Sequence, residues 1–222
     1  MEVAAAVKHS LYRYFDETRW AEAFLSGDIL FRSLSYYRDY EDEEIRRDVY
    51  EGNAIFRPEP GLLIHKESQA HSILVPDSSF ESIVKGDEIF VLCFTRGQTE
   101  ERRAKFGGAC VQILSIPKLC ARIQAALPTS ADFYARRVTY YDPAEGGSPR
   151  WALPDLIATS KIAKYRWQDE FRILFSLTDS LGFEKAQYQI VTGVPKSPPP
   201  RNTPYPEHRM RTRDLHDICR LL

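Results

Sequence analysis

This sequence predicts an α+β fold: a mostly antiparallel sheet with a few flanking helices. Three observations carry that expectation. Short apolar runs bounded by turn residues recur along the chain, so strands outnumber helices. No regular strand–helix alternation appears, which argues against a parallel sheet. The 222 residues are 43% hydrophobic, enough to bury a core and too apolar for a disordered chain.

SLYRYFD (10–16) is short, aromatic and bounded by polar residues, and reads as a strand. In ETRWAEAFLSGD, Trp20, Phe24 and Leu25 lie at helical spacing and Gly27 is a stop signal, giving a helix over 17–26. ILFRSLSYYRD is a second extended piece; the charged YRDYEDEEIRRD (37–48) beyond it is a helix or a mobile loop. NAIFRP and LLIHKE flank Glu-Pro-Gly, a turn signal, and predict a hairpin; SILVP is a further strand. EIFVLCFTRG is the clearest buried strand, and GGACVQILSI is strand-like after its glycines. PKLCARIQAAL is amphipathic, with Pro tolerated in a first helical turn. ARRVTYYD reads as a strand, ALPDLIATSKIAKY as partly helical, and QDEFRILFSL and KAQYQIVTG as strands. VPKSPPPRNTPYP holds six of the fourteen prolines and predicts an extended strap. RTRDLHDICRLL, with Leu215, Ile218 and Leu222 on one side, predicts a short helix. The expected division is one α+β domain over 1–192, with the strap and helix of 193–222 packed on it.

Lys plus Arg number 30 and Asp plus Glu 31, a formal net charge of −1. That excludes a strongly basic nucleic-acid binder but leaves local basic patches open, at 102–105, 136–137 and 209–213. Phe106, Phe133, Tyr134, Tyr140 and Tyr141 lie among them and suit base stacking, though they read first as core. Cys93, Cys110, Cys120 and Cys219 form no CxxC pair; a disulfide framework is not expected, which suits a cytoplasmic protein. No apolar run is long enough to cross a bilayer, and MEVAAAVKHS is too short and weakly apolar for a signal peptide, so no membrane partner is expected. His65 and His71 are separated by a polar run and lack a third ligand, so no metal is expected. No GxSxG, P-loop or GxGxxG is present. RRDVYEG (46–52) reads as a lid over a cleft or, preferably, as a solvated helix end.

The stretch YRWQDEFRIL (165–174) reads as a strand interrupted by charge. Side chains alternate faces, so Phe171, Ile173 and Phe175 fall on the core side. Gln168, Glu170 and Arg172 share the other face, and Asp169 belongs at the strand's open end. The polar face is either the wet side of a sheet or a cleft wall in which Glu170 is a fixed carboxylate.

The array K-x-x-x-Y-x-W-Q-x-E-F-R, from Lys161 to Arg172, resembles the closing motif of an uncharacterised prokaryotic family of domains of unknown function. That pattern is a Lys, then an aromatic, then E-x-E-aromatic-Arg. LYRYF with its helix and G-D-I-L-F-R-S resembles the family's start, and EIFVLCFT with GGACVQI its middle, so the likeness spreads over residues 10–175. A Met-Trp-x-x-Tyr segment expected after CFT is absent; TRGQTEERRAKF stands there.

More remotely, the layout resembles the ADP-ribosyltransferase superfamily. This resemblance implies a split antiparallel sheet around an NAD cleft, with NAD as co-substrate and a protein or nucleic acid as acceptor. It implies a catalytic set of Glu170, Gln168 and Arg13, and a cofactor-binding set of Arg13, Ser33, Tyr36, Thr95 and Arg172, with Ser35 as an alternative to Ser33. Breaking the nicotinamide–ribose bond passes through an oxocarbenium-like state that a fixed carboxylate stabilises, the part Glu170 would play. Gln168 would hydrogen-bond the acceptor. Arg13 would hold a phosphate or the ribose, where a forked guanidinium suits an oxyanion. Tyr36 would stack on nicotinamide, and Arg172 would orient or neutralise Glu170. A bacterial toxin, effector or phage-defence role goes with the same resemblance. The residues alone leave two other readings open. One is a non-enzymatic nucleotide- or protein-binding module using the cleft or the basic clusters. The other is a hydrolase pairing Glu170 with His65 or His71.

Overall fold

The computed structural model describes residues 10–39, 48–65, 71–145, 149–193 and 201–222. The strand β1 (Leu11–Phe15) leads into α1 (Thr18–Leu25), which buries Ala21, Phe24 and Leu25 at helical spacing. Gly27 closes that helix at φ 88°, a conformation open to glycine at little cost. In β2 (Asp28–Ser33), Ile29, Phe31 and Ser33 alternate inward. The expected extended run then stops. Leu34–Asp39 is a helix, α2, and Ser33 Oγ accepts the Tyr36 N–H at 3.4 Å in the manner of a cap. The larger part of the charged segment, 40–47, lies outside the described residues.

The expected hairpin, NAIFRP (53–58) with LLIHKE (62–67), is two separate pairings. β3 (Asn53–Phe56) pairs with β6 (Ser78–Ile83), whereas β4 (Gly61–His65) pairs with β5 (Ser72–Pro76). The turn signal was sound, but β3 finds its partner beyond the next hairpin. β13 (Gln187–Thr192) takes the other edge of β6, making a three-stranded sheet.

The apolar run Ile89–Thr95 is β7. After it come α3 (Glu100–Phe106), β8 (Ala109–Ile113) and α4 (Ile116–Ala125), which buries Leu119 and Ile123. The strand expected in ARRVTYYD is broken at Val138 into β9 (Asp132–Arg137) and β10 (Thr139–Tyr141). α5 (Pro154–Ile157) precedes β11 (Ser160–Ile162), which runs parallel to β10. A 3-10 helix, Ala163–Gln168, then delivers the chain to β12 (Glu170–Ser176). Much of the strap, 194–200, lies outside the described residues. Beyond it, β14 (Glu207–Arg211) pairs with β2. The helix expected at the C-terminus is instead a turn and a strand, β15 (Cys219–Leu221), on the edge of β8. Leu215 and Ile218 are buried as their apolar character demands, but through the turn, and the backbone is satisfied by the sheet.

The architecture is thus α+β with mostly antiparallel strands, and its main sheet of eight strands is forked. A strand has two edges. Along one edge of β7, β12 pairs from Ile89 to Thr95, with β9 outside it. The other edge is shared: β2 pairs at Phe90 and Val91, and β1 at Thr95. One branch therefore reads β2-β14 and the other β1-β8-β15. Cys93 lies between the branches, where its carbonyl accepts Arg13 Nη1–H at 2.8 Å. α1 and α4 cover one sheet face over Leu11, Phe31, Phe94, Ile173 and Phe175. The other face packs Leu34, Val91, Ile157 and Leu174.

Candidate functional site

A cavity of about 450 Å³ opens at the fork, within the usual range for small-ligand sites. Arg13, Tyr36, Thr95, Gln168, Glu170 and Arg172 all line it. They come from β1, α2, β7, the 3-10 helix and β12. Register explains the meeting: Tyr12 and Glu170 lie opposite Thr95 on its two sides. Ser33 does not join them. It is fully buried, bonded to Ser35 Oγ at 2.9 Å, and Ser35 in turn donates to Asp87. Its place is beneath α2, where it supports the helix that carries Tyr36.

The polar face of β12 is not wet. All seven residues of the strand are buried, and Arg172 is the largest fully buried side chain. Its guanidinium donates to Glu170 Oε2 at 2.8 Å, to the Ala158 carbonyl at 2.8 Å, and to both oxygens of Glu51 at 2.5 and 2.9 Å. Lys161 Nζ donates to Glu170 Oε1 at 2.9 Å and to Gln168 Oε1 at 2.8 Å. Gln168 precedes the strand rather than sharing its face. It reaches Lys161 because Asp169 turns the chain through a left-handed conformation, φ 45° and ψ 56°, and pairs with Arg96 at 3.2 Å.

Burial alone would raise the pKa of Glu170, but Lys161 and Arg172 overcome that and hold it at about 2. Burial likewise opposes the Lys161 charge, and Glu170 and Glu51 reverse the balance, so the ammonium is held above its ordinary value. Asp48 is driven the other way, up to about 6, by burial and by Glu51. Its Oδ1 accepts the Tyr50 N–H at 3.0 Å, while Oδ2 has no hydrogen-bond partner among the described residues. Glu170 is therefore a fixed anion near neutral pH and has no proton to give.

Arg13 lies over the Phe15 ring at 5.2 Å and spans the fork with its bond to Cys93. Tyr36 meets Tyr37 and Tyr205 edge-on, with the Arg32 guanidinium over its ring at 4.8 Å. Thr95 Oγ1 donates to the Gly97 carbonyl at 3.0 Å.

Glu51 and Lys161 were missed as site residues. Lys161 belongs to the closing array, which was its signal. Glu51 carried none, because RRDVYEG reads locally as a solvated end. Arg46 and Arg47 lie outside the described residues, but Asp48 and Glu51 are buried, so that preferred reading fails for them. The histidines do not reach the cavity: His65 meets Ser72 at 3.2 Å on the β4–β5 ribbon, and neither His65 nor His71 lines the space around Glu170. Nor is the 102–105 cluster an open patch. Arg102 is spent on the Trp167 and Gly97 carbonyls, and Lys105 pairs with Glu101 and covers the Trp167 ring. No helix among the described residues is long and apolar enough to cross a membrane. No family model matches the chain, and no curated protein or solved structure shows significant similarity to it.

Proposed function

We propose that the fork cavity binds NAD and that the protein transfers ADP-ribose from it to a macromolecular acceptor. The observation that carries this reading is the convergence of Arg13 and Glu170, distant in sequence, on one cavity, where Glu170 lies opposite Thr95 and Arg13 reaches the carbonyl of Cys93. The donor set suits the ligand: a guanidinium for a phosphate, aromatic rings for flat heterocycles, and an ionised carboxylate for a ribose hydroxyl. In the reaction, the bond between nicotinamide and the ribose anomeric carbon breaks, and its electron pair leaves with nicotinamide. The acceptor's nucleophile bonds to that carbon and gives up its proton. Glu170 would stabilise the positive charge that develops on the ribose. Lys161 and Arg172 would hold the carboxylate in place, and Gln168, fixed by Lys161, would present its amide N–H groups.

One observation favours a second reading, a nucleotide-binding module without catalysis. Lys161 and Arg172 already offset the charge of Glu170. A neutralised carboxylate exerts a weaker field on a ribosyl cation.

One experiment separates the two. NAD tagged on its adenylate is supplied to the wild type and to Glu170→Gln in a cell lysate, below the melting temperature of both, alongside a thermal-shift titration with NAD. Label on a macromolecule with wild type, reduced at least about 100-fold in the variant, is the expected result. A thermal shift with no label establishes the binding module. Neither shift nor label overturns the NAD reading.

A further inference from the structure

A second concavity, of about 630 Å³, lies between α4 and the chain that follows β14. Its cationic wall is Lys118 and Arg122 on α4 and Arg211 and Arg213 on the chain opposite. Lys118 and Arg122 are four apart on a helix and so share a face; Arg211 ends β14 and Arg213 lies in the bend that follows it. Two rows of positive charge thus face each other across a floor of Ala121, Ala125 and Ala126.

The groove is built rather than incidental. Thr212 N–H donates to the Gly27 carbonyl at 2.8 Å and pins one wall. Arg122 donates to both oxygens of Asp217 at 2.6 Å and to the Asp214 carbonyl at 2.7 Å, stapling α4 to the turn. That employs Arg122 and the one carboxylate lining the groove. Lys118, Arg211 and Arg213 are exposed and form no close ion pair among the described residues, although Lys118 lies near enough to Asp217 to help Arg122 hold its carboxyl below the ordinary value. In a chain of net charge −1, four cations against one carboxylate in one slot mark a site for a polyanion.

The shape narrows the choice. A slot of this volume has room for a single extended backbone. Alanines along the floor let a backbone approach closely. No aromatic or large aliphatic side chain lines the groove among the described residues, so it lacks the anchors of a protein interface and the protruding apolar groups of a membrane surface. Charges in two rows match a repeating phosphate chain better than one isolated phosphate. The groove also leads to the fork. Arg209 and Arg211 share a face of β14; Arg209 lines the fork cavity and Arg211 the groove.

We propose that this groove binds the phosphate backbone of a single-stranded nucleic acid. Resting on the transferase reading, that strand is the acceptor, led past Arg209 to the fork.

The test measures fluorescence anisotropy of a labelled single-stranded oligonucleotide of about 12 nucleotides, without NAD, across a salt series. Wild type should bind with a log–log salt slope of about −2, three phosphates at about 0.7 each. The variant Lys118→Glu/Arg211→Glu/Arg213→Glu should bind on the order of 30-fold more weakly. A control of equal charge change elsewhere, Lys85→Glu/Lys164→Glu/Lys185→Glu, should stay within about twofold, since these sites lie outside the groove. Arg213→Ala alone should flatten the slope by about 0.7, which keeps the test sharp if the triple variant misfolds. No binding by wild type, equal losses in both triple variants, or binding to phosphatidylserine vesicles without binding to the oligonucleotide would each overturn the proposal. Because Glu170 is untouched and NAD is absent, failure here leaves the transferase reading standing, and failure of label transfer leaves the binding groove but removes the strand's role as acceptor.

Discussion

Lys161 and Arg172 stand against Glu51 and Glu170 almost wholly out of water, two charges of each sign. Removing one member of such a cluster costs more than the cluster contributes, because its partners are left charged and buried. Glu170→Gln should therefore lower the unfolding free energy by about 3 kcal/mol, read from urea melts near neutral pH. The sign with pH follows from linkage. The Glu170 pKa falls from an ordinary 4.5 to about 2 on folding, so its contribution is complete above the ordinary value and is lost as pH falls toward 2. The variant should flatten that acid limb, and an unchanged limb would remove Glu170 from the account. Asp48 works in the opposite sense. Its pKa rises from 3.8 to about 6, so its contribution is complete below the ordinary value and is lost as pH rises through 6. Asp48→Asn keeps an acceptor for the Tyr50 N–H. It should raise the Tm by roughly 5 °C at about pH 7.5 and leave it unchanged at about pH 4. Equal gains at both pH values would show that the buried charge is not the cause.

The junction of α1, β2 and the chain after β14 turns on Gly27. A Cβ there would lie 2.5 Å from the Thr212 carbonyl oxygen, at a backbone φ of 88°. Gly27→Ala should cost about 2 kcal/mol or more in a denaturant melt, since strain and clash add. A loss below about 0.5 kcal/mol would mean that the 212–213 segment moves aside freely. α1 and α4 were legible because each carries its own helical period of buried residues, and β7 because it is a short continuous apolar run. α2 was not, because SLSYYRD has a strand's composition. Ser33 beneath it and the Ser35 contact with Asp87 decide in favour of the helix. β15 was misread for a related reason. Leu215 and Ile218 fit a helical face, and only the open edge of β8 makes the chain extend after them. Local pattern settles an element when the pattern is complete within it, and fails when a distant edge supplies the hydrogen bonds.

At the scale of the whole molecule the fork is what creates the cavity, and the fork has no local signature. Glu170, Arg172, Arg13 and Thr95 could be nominated by residue type and position along the chain, and the sheet brings all four to one space. Ser33 was nominated on the same grounds and lies beneath that space. Glu51 could not be nominated, since its role exists only where β12 presents Arg172 to it. Arg13 ties β1 to β7 within the fork, because its side chain takes the carbonyl that neither β1 nor β2 pairs. Arg13→Met keeps the apolar stem against Phe15 and removes the guanidinium. Losing one hydrogen bond from a charged donor costs about 1.5 kcal/mol, so amide exchange in β7 near Cys93 should quicken about tenfold. Amides of β9 and the far end of β12 should keep their protection, because those strands lie on the opposite edge. If the fork cavity binds NAD as proposed, the thermal shift that NAD produces should shrink in the same variant. Unchanged exchange in β7 would mean that the strand pairings alone hold the fork.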